Sequence, residues 1–207
     1  MALKSVCRIT IISCITLYDR FIEAVRLALP QPHPAQKEAI MATLHMAQKL
    51  NSQVNLEFQA SNLCLSLSEW CCEHDLPGSA TFLRSQAQDS VNHMMSVFDF
   101  MKRAGAYPIV KARENHHNDV HTLEELFQRT LEEYHIRHEM LTQLSEEAKA
   151  IKDEKTLAFL RELEKAEQQE GALLKLLLNE IHLAQRDGKS IAQTDQALLN
   201  VVNYYRH

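Results

Sequence analysis

The chain has 207 residues, 45% of them hydrophobic and 24% charged, with only four Gly and five Pro and a formal net charge of −5. That acidic balance, without a Lys/Arg cluster of useful size, excludes a strongly basic surface for nucleic acid. Few chain breakers among many Leu, Ala, Glu, Gln and Lys exclude a sheet protein and point to an all-α domain with a substantial core.

The first forty residues differ from the rest. They hold five Lys/Arg against three Asp/Glu, a mostly apolar run from Ile9 to Tyr18, and three of the five prolines, Pro30, Pro32 and Pro34. The apolar run is too short to span a bilayer. Asp19 and Arg20 end it, and no small-residue cleavage pattern follows closely, which disfavours a secretory signal. Lys37-Glu38 is encoded by two all-purine codons shortly before Met41, the look and spacing of a bacterial ribosome-binding site. Residues 1–40 are therefore expected to be an untranslated leader and 41–207 the folded domain, with a signal or a genuine tail as the alternatives.

From Leu44 to His74, apolar residues recur at helical spacing through Leu50, Val54, Phe58, Leu63, Leu67 and Trp70, predicting a first helix of about thirty residues that Pro77-Gly78 ends. A second helix is expected over Ser79–Arg103, closed by Gly105 and Pro108. The polar stretch to His121 is long enough to cross the length of a bundle. Thr122 and Glu125 form a capping box, in which hydroxyl and carboxylate satisfy exposed amides, and open a third helix to about Ile151. Asp153 caps a fourth, to about Gln185. After Gly188, Thr194 or Asp195 is expected to start a short fifth helix whose Leu198, Leu199, Val201 and Val202 are too apolar to face water alone. Four long helices with one long crossover match the ferritin-like plan.

Positions three, four and seven apart share a helix face. By that rule the first helix offers Glu57 with Cys64 and Cys71, the second His93 with Asp89 and Ser90, the third Tyr134 with His138 and with Glu133 about 100° away, and the fourth Glu167 with Glu170. The ligand-like set is Glu57, His93, Glu167 and Glu170. A buried carboxylate needs a cation or a proton, and oxygen-rich coordination with one imidazole suits iron better than copper or structural zinc. The strong mark of a diiron bundle, Glu-x-x-His, is incomplete, because Ser90 stands at its first position. His116, His117, Asp119 and His121 read as a solvated crossover loop, and Met94, Met95 and Met101 as core. Five Cys, with Cys71 and Cys72 adjacent, make neither a disulfide framework nor a zinc signature, and read as free thiols of a reducing compartment.

The stretches KLNSQVNLEFQASNL, LSEWCCEHDLPGSATFLRSQAQ, FDFMKRAGAYPIVKA, LEELFQRTLEEY, FLRELEKAEQQEG and the tail QTDQALLNVVNYYRH carry a resemblance over Met41 to His207. The chain resembles the bacterial non-haem ferritins, most closely those of the B type. The resemblance implies a cytoplasmic iron-storage protein, a hollow shell of twenty-four subunits, and a diiron centre in each bundle that oxidises ferrous iron to a ferric store. Residue by residue, it implies Glu57, His93, Glu167 and Glu170 as iron ligands and Asp89 as an acid of a third iron position. It also marks departures: Ser90 replaces the bridging glutamate, Tyr134 the third-helix glutamate, Cys64 the neighbouring tyrosine, and Ala166 a further acid. Iron binding with weak or atypical ferroxidase activity is the expectation. A non-catalytic subunit that co-assembles with an active ferritin is the alternative. A DNA-protecting mini-ferritin fits poorly, lacking a fifth helix, and a haem-binding bacterioferritin is the remaining possibility. No membrane or nucleic-acid partner is expected.

Overall fold

A computed structural model describes residues 34–111 and 120–206. The chain divides into two units, Met1–Thr43 and Leu44–His207, and the packing described here is that of the second. Five helices follow in chain order: α1 Pro34–Glu73, α2 Pro77–Arg103, α3 Leu123–Ala150, α4 Glu154–Arg186 and α5 Ile191–Arg206. No strand occurs among the described residues, and the observed fold is the all-α plan of four long helices and a short fifth. Two helix starts differ from expectation. α1 begins at Pro34, ahead of Leu44, and the expected leader otherwise lies outside the described residues. α2 begins at Pro77, where a missing amide hydrogen is no loss because the first turn has no partner for it.

The long helices bury one stripe each. On α3 the stripe runs Phe127, Thr130, Tyr134, Arg137, Leu141, Leu144, with alternating steps of three and four that keep every member facing inward. The buried apolar residues fall into two clusters. One takes the C-terminal part of α1 (Cys64, Leu67, Cys71), the start of α2 (Ala80, Leu83, Ala87), the start of α3 (Leu126, Phe127) and the end of α4 (Leu174, Leu177, Ile181). The other takes Leu50 and Val54 of α1, Val97 and Met101 of α2, Leu141 and Leu144 of α3, and Leu160 and Leu163 of α4. Burying each such Leu or Phe contributes about 1.5–3 kcal/mol. α1 and α4 thus run from the second cluster to the first, while α2 and α3 run the opposite way. Because α2 and α3 are parallel, the chain between them has to travel back along the bundle, and Ala106 against the second cluster and Val120 in the first mark its two ends.

The described start of this crossover is tied to α1 by two asparagines one turn apart. Asn51 Oδ1 accepts from the Ile109 amide at 2.6 Å, Asn55 Oδ1 accepts from the Lys111 amide at 2.7 Å, and Asn55 Nδ2 donates to the Ile109 carbonyl at 2.9 Å. Of the crossover histidines only His121 is described; His116, His117 and Asp119 lie outside the described residues.

Helix caps follow the sequence where they are local. The Glu125 amide donates to Thr122 Oγ1 at 3.1 Å, and Glu125 Oε2 in turn accepts from the His121 amide at 2.8 Å, one residue before the usual target of a capping box. The Thr156 amide donates to Asp153 Oδ1 at 3.1 Å. The start of α5 is a correction: Ser190 and Gln193 form the capping box, so Thr194 and Asp195 lie inside the helix. Asp195, buried, serves another helix instead. Its carboxylate accepts from the Gly78 amide at 2.8 Å, the Ser79 amide at 2.7 Å and the Ser79 hydroxyl at 2.6 Å, capping α2 and docking α5 on it. A β-carbon on Gly78 would stand 2.9 Å from Asp195, so the approach needs glycine there. No described helix is long and apolar enough to cross a membrane.

Candidate metal centre

Between the two apolar clusters each long helix switches from apolar to polar on its inward stripe. The switch holds Gln53 and Glu57 on α1, Ser90 and His93 on α2, Arg137 on α3, and Glu167 and Glu170 on α4. A polar layer inside a bundle is destabilising unless every member finds a partner, so the partners identify what the layer is for.

Glu57, His93 and Glu167 come together: one ligand atom from each lies within 4.8 Å of the others. Glu57 and Glu167 are fully buried. Gln53 Nε2 donates to Glu57 Oε1 at 2.9 Å and lies 3.5 Å from Glu167 Oε1. Two atoms of the trio, His93 Nδ1 and Glu167 Oε2, are buried without a hydrogen-bond partner. Glu167 Oε2 does face His138 Nδ1 at 3.5 Å, in a geometry that makes no hydrogen bond. Burial, and after it the charge of Glu57, pushes the Glu167 carboxyl up to about 9, so without a metal it holds a proton at neutral pH. An imidazole and a carboxyl that a cation would deprotonate, brought together with a second carboxylate, are the donor types that iron takes.

Glu170 is placed differently. Arg137, 2% exposed, donates to it from Nη2 to Oε1 at 2.6 Å and lies 3.5 Å from its Oε2 through Nη1, which also donates to Glu57 Oε2 at 3.1 Å. Burial pulls the guanidinium down, but Glu170 and Glu57 outweigh it and hold it above its ordinary range, so it is a permanent cation. Asp89 is half-buried on α2, and neither it nor Glu133 joins the trio. Ser90 is buried beside His93, on the turn before it, and brings no carboxylate.

Tyr134, buried on α3 one turn before Arg137, brings a phenol and no carboxylate. The hydroxyl end of its ring lies so close to Gly171 of α4 that a β-carbon there would overlap it, and the ring stacks on His138 at 5.5 Å. Burial, then the charges of Glu167 and Glu170, raise its hydroxyl, keeping it a neutral phenol. Burial likewise pushes the Cys64 thiol up to about 12, so in the metal-free protein it is a neutral thiol, and it does not join the trio.

Arg137 and Gln53 were absent from the sequence-derived set. Arg137 carried a signal all the same, since it sits on the α3 stripe between Tyr134 and Leu141, where a solvated arginine has no place.

A family profile for the ferritin-like domain matches residues 47–184. The chain is 53% identical over 167 residues to a bacterial non-heme ferritin-like protein of Escherichia coli, covering 81% of this chain and 100% of that protein. It is 31% identical over 153 residues to a bacterial non-heme ferritin of the same species, covering 74% of this chain and 93% of that one. An open-pore ferritin from the archaeon Archaeoglobus fulgidus superposes with a TM-score of 0.70 at 24% identity, over 75% of this chain and 96% of its own. Chlorobium tepidum ferritin superposes with a TM-score of 0.67 at 23% identity, over 78% and 96%. The two structural likenesses concern the fold.

Proposed function

The chain belongs to the ferritin family, and on that premise we propose that it is an iron-storage subunit that takes ferrous iron into its bundle at Glu57, His93 and Glu167. The observation that carries this reading is the trio itself: one ligand atom from each of three helices within 4.8 Å of the others, two of the three residues fully buried and the third, His93, half-buried. Iron is cargo here. The chain's residues bind it, exclude water, and give up the Glu167 proton as the ion enters. Glu170 and Asp89 are accessory acids in this reading, Glu170 held by Arg137 and Asp89 half-buried on α2 one turn before His93.

Ferroxidase activity is weak in this proposal. A serine hydroxyl at position 90 cannot bridge two ions, and without a bridge neither their charge nor their separation is fixed. The chain self-associates into the twenty-four-subunit shell of its family, in the cytoplasm, with no nucleic acid or membrane as partner. The acidic net charge of −5 agrees with the absence of a nucleic-acid role.

The pairing of Arg137 with Glu57 and Glu170 favours one second reading, a non-catalytic subunit that co-assembles with an active ferritin and contributes cavity wall. Expression alone, followed by sizing of the particle and aerobic addition of ferrous iron, separates the two. The proposal predicts a shell that retains iron and oxidises it slowly, with retention at the bundle lost in Glu57→Ala/His93→Ala. A chain that assembles only beside another ferritin, or that loads iron identically in that double variant, would reject it.

A further inference from the structure

We propose that the guanidinium of Arg137 stands in for a second metal ion, so that the centre takes one ferrous ion per subunit and not a pair. This inference rests on the iron-site reading and specifies what the site can hold.

The geometry is that of a cation with two carboxylate ligands. Arg137 reaches Glu57 with Nη1 and both oxygens of Glu170 with its two terminal nitrogens, and it is 2% exposed. An ion bound between Glu57 and Glu170 would have to take the place of those nitrogens. On the α3 stripe the side chain stands between buried Tyr134, packed against Gly171, and buried Leu141.

Charge balance leads to the same stoichiometry. The carboxylates that belong to the trio or hold Arg137 are Glu57, Glu167 and Glu170, the first two fully buried and the third 10% exposed, while Glu133 stands outside the trio. Three negative charges match one guanidinium and one divalent ion, with His93 as a neutral ligand. Against these three carboxylates and the guanidinium, a second divalent ion would leave an excess of two positive charges. Ser90, the inward residue of α2 one turn before His93, supplies no further charge. Position also separates the two cation places: the trio with unpartnered atoms lies on the His93 side, and the fully engaged oxygens of Glu170 on the Arg137 side.

The test counts ions on the iron-free shell with zinc as a redox-inert probe, taking the ions lost in Glu57→Ala/His93→Ala as those of the centre. One tight ion per subunit is expected in the native protein. Two are expected in Ser90→Glu/Arg137→Gln, where four carboxylates face two divalent ions. Two tight ions in the native centre, or one in a folded double variant, would overturn the inference while leaving the iron site standing; none in the native centre would overturn both. Should the double variant fail to assemble, X-ray absorption of the native protein loaded anaerobically with ferrous iron decides. The absence of metal–metal scattering is expected, and a metal–metal distance of about 3.5–4 Å, the separation in two-metal sites, would refute it.

Discussion

Arg137 holds two interior carboxylates, and removing it leaves both without their counterion. Breaking a buried pair by deleting one partner typically costs about 3–5 kcal/mol. Arg137→Ala is therefore expected to lower the melting temperature of the metal-free protein far more than a surface Arg→Ala, such as Arg161→Ala, and the deficit should shrink when zinc is added, because the ion supplies the missing charge. Calorimetry with and without zinc checks both halves. Glu167 gives a prediction in pH. Its carboxyl is raised to about 9 in the folded protein, above its value in the unfolded chain, so the folded state holds the proton more tightly. Its contribution to stability is complete below the unfolded value of about 4.3 and is lost as pH rises through about 9. The metal-free protein should lose stability between pH 5 and pH 9 more steeply than Glu167→Gln, and parallel slopes would contradict the assignment. Glu57, His93 and Glu167 were legible as single residues because helical periodicity places them inward. Arg137 was not, because an arginine is read as solvated by default and its countercharges come from two other helices.

At the level of helices, the local caps could be read and the remote one could not. Thr122 and Asp153 hydrogen-bond amides three residues on, within the reach of a sequence motif. Asp195 looks equally like a local cap, yet its carboxylate serves Gly78 and Ser79 more than one hundred residues away, and Ser190 starts α5 in its place. Asp195→Ala removes three hydrogen bonds to a buried carboxylate, each worth about 1.5–3 kcal/mol when one partner is charged, less what water entering the space left by the carboxylate regains. A loss of about 3 kcal/mol is expected, together with faster hydrogen exchange at the first amides of α2 and throughout α5. Exchange confined to α5 would show that Asp195 docks that helix without capping α2. Gly171 makes a second case. A β-carbon there would run into the Tyr134 ring, so Gly171→Ala should cost about 1–3 kcal/mol by overpacking, and Tyr134→Ala in the same chain should relieve most of it. Thermal melts of the single and double variants measure the coupling.

On the scale of the molecule, a polar layer divides two apolar clusters, and the bundle's connectivity follows from which end of each helix meets which cluster. The long crossover was legible because a polar stretch of that length between two amphipathic helices has one economical use, the return along the bundle. The partnering of α1 through Asn51 and Asn55 was not, since an asparagine pair one turn apart reads as ordinary helix surface until the crossover segment beside it is known. The same layer is where the function resides, if the trio of Glu57, His93 and Glu167 is an iron site. Anomalous diffraction from a crystal of the native protein soaked anaerobically in ferrous salt tests that most directly. A peak within bonding distance of all three side chains is predicted, and none between Glu57 and Glu170; a layer without any peak, its three ligand atoms still turned toward one another, would contradict the account.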